Sequence, residues 1–85
     1  MIKIVFSEVE SPTDSSEAIT LNNSSGVRAI NSSKKPYLLH LIDNTTGEAR
    51  SLTLVGNESL ILKKHSYDKV YASSKTVRIA GVSIY

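Results

Sequence analysis

Cysteine and tryptophan are absent from this chain of 85 residues, phenylalanine occurs once and proline twice. Without cysteine, neither a disulfide nor a thiolate-held metal can supplement the hydrophobic core. Few aromatic rings and a net charge of only +2 argue against nucleic acid as a partner, because single-strand binders stack bases on aromatic side chains within a basic groove. No run of about 18 apolar residues exists to span a bilayer. The opening Met1–Phe6 is too short, and too soon followed by Glu8 and Glu10, for a secretory signal. A soluble, non-exported chain with no membrane partner is therefore expected. A chain this short has surface enough for one core. Residues 1–85 are expected to form a single domain burying roughly 60–65% of its unfolded surface, a margin that oligomerisation would widen.

What the sequence does contain is alternation. Ser51-Leu52-Thr53-Leu54-Val55 and Ser59-Leu60-Ile61-Leu62-Lys63 each set leucines on one face of a strand, the period-2 pattern of half-buried antiparallel strands. Gly56-Asn57-Glu58 between them reads as a tight turn pairing the two. Residues 37 to 43 are apolar on both faces, Leu39 and Leu41 on one, Leu38, His40 and Ile42 on the other. Such a strand is central or covered by a partner. Asn44-Thr45-Thr46-Gly47 has the composition of a hairpin loop, joining residues 37–43 to 48–55. Residues 18–21 and 27–31 read as further short strands. Val77 and Ile79 sit at odd positions but Val82 and Ile84 at even ones, which predicts a bulge or bend at Gly81. Together these segments predict an all-β fold: one small antiparallel β-sandwich of six to eight short strands, immunoglobulin-like or jelly-roll-like. Leu39, Leu41, Leu52, Leu54, Leu60, Leu62, Val70, Val77 and Ile79 are expected to line its core.

Ile2, Ile4 and Phe6 alternate as one buried face of a first strand. Residues 7–17 carry Pro12, turn formers and almost nothing apolar. They predict an acidic loop or arm, mobile in an isolated chain and ordered against a neighbour. Glu8, Glu10, Asp14 and Glu17 follow one another with no base between them, whereas Lys63, Lys64, Lys69, Lys75 and Arg78 crowd the last third. This polarity suits contacts between subunits in which an acidic arm meets a basic face. The expected partner-binding residues are Glu8, Glu10, Lys63, Lys64, Lys69, Tyr71, Lys75 and Arg78. Lysines interleaved with Tyr67, Tyr71 and Tyr85 also fit a nucleic-acid-binding small β-barrel, a weaker reading at this net charge.

Catalytic chemistry finds little purchase. His65-Ser66-x-Asp68 are neighbours on a turn, and a triad needs groups that converge on one reacting atom with an oxyanion site beside it. Two isolated histidines, His40 and His65, do not make a metal site. No catalytic residue, metal or cofactor is expected, and the chain reads as a non-enzyme. Asn-x-Ser/Thr triplets begin at Asn22, Asn23, Asn31, Asn44 and Asn57; without an export signal they reflect a composition rich in Ser, Thr and Asn.

The run from Leu54 to Ser74 and the last strand Val77–Tyr85 resemble small virion structural proteins of tailed bacteriophages. In those chains a Gly-x-Glu turn leads to a strand ending in Lys, then a Lys-x-x-x-Asp connection and an apolar-Ala-Ser strand. Gly56, Glu58, Lys64, Asp68, Val70, Ala72 and Ser73 match that pattern, and Lys63 and Ser66 depart from the acidic residue and proline common there. The resemblance implies a non-enzymatic virion protein assembled in the host cytoplasm. A capsid decoration (cement) protein bound to the major capsid protein is the first form, and a homo-oligomer or symmetric assembly is implied. A component associated with tail proteins or fibres, or a host-carbohydrate-binding β module, is the alternative. Independently of the resemblance, the Lys64 to Asp68 spacing predicts an ion pair fastening the connection.

Overall fold

Most of the segments that alternate are extended. The computed structural model describes residues 2–84, which form β1 (Ile2–Glu10), β2 (Gly26–Asn31), β3 (Tyr37–Ile42), β4 (Ala49–Leu54), β5 (Ser59–Lys63), β6 (Lys69–Ala72) and β7 (Val77–Ile84), with one 3-10 turn at Ser15–Glu17. Two antiparallel sheets result, ordered β1-β7-β2-β5 and β4-β3-β6. The fold is a small all-β sandwich. Like an immunoglobulin constant domain it divides seven strands four and three between two sheets, but β4 and β7 each lie in the other sheet, β4 beside β3 and β7 between β1 and β2.

The core lies between the sheets. Leu21, Val27, Ala29, Leu39, Leu54, Val70, Ala72, Val77 and Ile79 are buried there, with Leu41, Leu52, Leu60 and Leu62 packed at its margin. All nine residues expected from alternation are thus in the core or against it. β3 is central in its sheet, and Tyr37 to Ile42 pair in register with Leu54 to Ala49 across the hairpin. Gly47 takes φ +76° in that loop, and Asp43 Oδ1 accepts the Thr45 N–H at 2.7 Å.

Gly56-Asn57-Glu58 does not close a hairpin. β4 and β5 belong to different sheets, and β5 pairs with β2, so this turn carries the chain from one layer to the other. Asn31 makes the corner. Fully buried, its amide nitrogen donates to the carbonyls of Lys35 (2.7 Å) and Leu54 (2.9 Å), and its backbone exchanges bonds with Glu58 and Asn57. Gly56 lies so close to Lys34 that a Cβ would fall 2.5 Å from that residue's carbonyl oxygen. A hairpin would satisfy alternation equally well; the backbone acceptors that Asn31 and Ser33 offer to Asn57 favour the crossover.

β1 is longer than expected and bulged. Ile4 faces Val82, Phe6 faces Gly81 and Val9 faces Ile79, with register shifts between them. Each shift adds a residue on β1, so Ile2 and Ile4 point outward while Phe6 and Val9 point to the core. The parity change sought at Gly81 therefore resides opposite it, and β7 itself runs in unbroken register against β2. Gly81 instead admits a close approach, since a Cβ there would sit 2.6 Å from the Leu21 carbonyl oxygen.

The acidic arm is likewise corrected. Residues 7–10 continue β1, Ser11 is buried with its N–H on the Val77 carbonyl, and the Pro12 carbonyl accepts the Ala72 N–H. The segment packs against its own chain because strand pairing satisfies its backbone and Val9 reaches the core. Residues 18–21 contribute only a bridge from Ile19 to Val70. Leu21, Asn22 and Asn23 then all adopt left-handed φ of 56–59°, unusual for leucine and offset here by its burial in the core.

Candidate functional site

β4 ends one sheet and β5 ends the other, side chains of both line one cleft, and no strand of the described residues pairs with either outer edge. The seam opens into the core as an apolar cleft of about 140 Å³ walled by Val27, Leu39, Leu41, Leu52, Leu62 and Val70. Arg50 lines this cleft and also a second, more polar hollow, where it joins Lys63, His65 and Asp43. Arg50 and Lys63 are exposed, and neither takes part in a salt bridge among the described residues.

The polar floor of the hollow is fixed by Lys64 and Asp68, both buried. Their predicted ion pair does not form. Lys64 Nζ donates to the backbone carbonyls of His65 (3.1 Å), Ser66 (3.2 Å) and Asp68 (3.0 Å). The Asp68 carboxylate accepts the N–H of Asn44 (3.0 Å) and of His65 (3.0 Å). Each charge is thus satisfied by backbone, and together they tie the β5–β6 connection to the β3–β4 loop. Burial pulls the Lys64 ammonium below its ordinary pKa, against the attraction of Asp68. Asp43 is also held low, first by the Thr45 N–H.

The outer face of the three-stranded sheet carries His40, stacked on Tyr71 with ring centroids 4.4 Å apart. Its Nδ1 meets Ser51 Oγ. This is a nucleophile-and-base contact in outline, yet Ser51 is the only side-chain hydrogen-bonding partner of His40 among the described residues, and the surrounding β3 amides are spent in two ladders. It lacks the orienting acid and oxyanion donors that acyl transfer uses.

The eight residues expected to bind partners do not converge. Glu8 and Arg78 lie on the outer face of the four-stranded sheet, where Glu8 bridges Arg28 (3.1 Å) and Arg78 (3.0 Å), and Glu10 pairs opposite Arg78. The acidic segment does meet the basic strand, but within one chain. Lys69 and Tyr71 occupy the opposite face, across from Ile42 and His40. Lys75 is exposed in the β6–β7 loop and Lys63 exposed at the seam, while Lys64 is interior. A single basic face is therefore replaced by two opposed surfaces and an edge. Arg50 was missed because its charge reads as a polar opening to β4, although alternation with Leu52 and Leu54 already sets it on their face, and the register opposite Leu41 bears that out.

The motif behind the resemblance is wholly structural in its observed contacts. Gly56 permits the close approach to Lys34, Glu58 accepts the Val55 N–H, Lys64 and Asp68 tie the connection, Val70 and Ala72 are core, and Ser73 Oγ accepts the Leu38 N–H. Comparison with protein families, curated proteins and solved structures finds no match.

Proposed function

We propose that this chain is a non-enzymatic structural module that works by adhesion to other proteins. On the resemblance given above, it is a subunit of a phage virion, with capsid decoration ahead of a place in the tail or fibres. The observation that carries the adhesive reading is the outer face of the four-stranded sheet. Ile2, Ile4 and Ile61 are 51%, 71% and 45% exposed there, on one side of the sheet by register, with Ile84 folded over Gly26 between them. Large apolar side chains gathered on one face are a contact surface, whereas the buried polar groups Asn31, Lys64 and Asp68 are all engaged in holding the fold. The virion assignment rests on the sequence resemblance alone. Mass spectrometry of purified particles tests it: a stoichiometric chain is expected, and its absence rejects the virion reading. A variant with Ile2, Ile4 and Ile61 changed to Ser should keep its fold by circular dichroism and lose attachment to the particle; retained attachment rejects the face.

A further inference from the structure

We propose that the seam between β4 and β5 is a docking groove for an extended, acidic segment of a partner protein, which adds as a strand to β5 and inserts one large apolar side chain into the cleft. This deepens the adhesive reading and rests on it.

The open edge is the first observation. Asn31 donates to the Glu58 carbonyl and Lys64 to the Ser25 carbonyl. In an antiparallel ladder bonded residues alternate, so even-numbered residues of β5 bond to β2. The N–H and C=O groups of Ser59, Ile61 and Lys63 then face away from β2, where no strand of the described chain pairs with them. Unpaired edge groups are a template for strand addition.

The cleft is the second. Side chains alternate across a strand, so every second residue of an added strand would point between the sheets, beside Leu60 and Leu62. The space there is about 140 Å³, close to the volume of about 150 Å³ that admits a benzene ring into an apolar cavity. One phenylalanine or leucine side chain fits, and a second does not. Leu41, Leu52 and Leu62 are only half-buried around it, so the insert would complete the core. Outward side chains of the same strand would meet Ile61, which is exposed.

Charge is the third. Arg50 and Lys63 stand at the mouth outside any salt bridge among the described residues, with the Asp43 carboxylate, held low first by the Thr45 N–H, lining the same hollow and near enough to Arg50 for the guanidinium to help. Asp43 and Asp68 are turned to backbone N–H groups. A carboxylate two residues from the apolar anchor would be drawn to these two exposed cations, which outnumber the one acid, Asp43, whose charge Arg50 feels.

The probe is the capped heptapeptide Thr-Asp-Thr-Phe-Thr-Asp-Thr, titrated into isotope-labelled protein and followed by amide NMR shifts. Shifts are expected at Ser59–Lys63, Arg50 and Leu52. Replacing Phe by Ala should abolish them, and replacing both Asp by Lys should weaken binding by about tenfold. Ile61→Pro removes an edge N–H that the fold does not use, so it should preserve the spectrum elsewhere and prevent binding. Arg50→Glu should reverse the preference between the Asp and Lys peptides. No shifts at millimolar peptide, shifts confined to another face, or unchanged binding by Ile61→Pro overturns the proposal. So does 3-phenylpropionate binding as tightly as the peptide, which would make the cleft a small-anion site. Particles that still recruit Ile61→Pro and Arg50→Glu proteins while the triple serine variant is lost would leave the adhesive reading standing and the groove rejected.

Discussion

Glu8 Oε2 lies 3.0 Å from Arg78 Nε, and its other oxygen lies 3.1 Å from Arg28, so one carboxylate joins the first strand, the second and the last. All three side chains are about two-fifths exposed. Solvent screening keeps such a pair to about 0–1 kcal/mol, and the network fixes register more than it stabilises. Glu8→Ala should lower stability by less than about 1 kcal/mol in urea unfolding, with the loss shrinking in high salt. A loss several times larger would mean that the bulged β1 depends on this contact.

The Lys64 tie should matter more. Lys64→Met keeps the apolar stem and takes the Nζ donor from three carbonyls, of which that of His65 still accepts the Asp68 N–H; the loss should cost about 1–3 kcal/mol at neutral pH. Its folded pKa lies below the ordinary 10.5. Between those two values the unfolded chain holds the proton more tightly, so this group makes stability rise with pH across that alkaline interval. Lys64→Met should remove that rise relative to wild type. Equal alkaline slopes in the two proteins would show that the ammonium titrates normally.

Which features were legible in the sequence depends on whether one element or two decide them. The hairpin at Asn44–Gly47, the leucine faces and most of the strands follow from local alternation and turn chemistry, and they stand, whereas residues 18–21 form only a bridge. The partner of β5 does not follow, because Leu60 and Leu62 can face a core from either sheet and the choice is made by Asn31, 26 residues earlier than Asn57. Ile2 and Ile4 were assigned inward because a bulge at the next residue leaves no mark in a period-2 pattern. The cleft is less legible still, since it exists only once β4 and β5 are known to lie in different layers.

The crossover can be tested at Gly56, with Gly81 of β7 and Gly47 of the hairpin for comparison. Gly56→Ala and Gly81→Ala would press a methyl against the carbonyl oxygens of Lys34 and Leu21, and backbone cannot yield as a flexible side chain does. Each should cost about 1–3 kcal/mol or more. Gly47→Ala meets nothing within 4 Å and bears only the cost of its φ of +76°, about 1 kcal/mol. Equal effects at Gly56 and Gly47 by thermal melting would return Gly56-Asn57-Glu58 to a simple hairpin.

Core truncations should divide by position. Leu54 is fully buried beside the Asn31 corner, and Leu54→Ala should cost about 2–5 kcal/mol, enough to unfold much of a domain this small. Leu62 already borders open space at the cleft, so Leu62→Ala forfeits fewer contacts and should cost about half as much. Losses of the same size would imply that the cleft is closed in solution.

The electrostatic part of attachment is best probed at Lys63 alone. Reversing both Lys63 and Lys64 would confuse binding with folding, because a carboxylate at position 64 would face the carbonyls of His65, Ser66 and Asp68 in place of a donor. Lys63 is exposed at the end of β5 and holds no salt bridge among the described residues. Lys63→Glu should therefore melt within a degree or two of wild type while its association with particles slows, and raised salt should slow wild type toward the mutant. Lys64→Glu should fail earlier, by losing its fold. A Lys63→Glu protein that attaches at the wild-type rate in low salt would leave apolar contact as the sole source of adhesion.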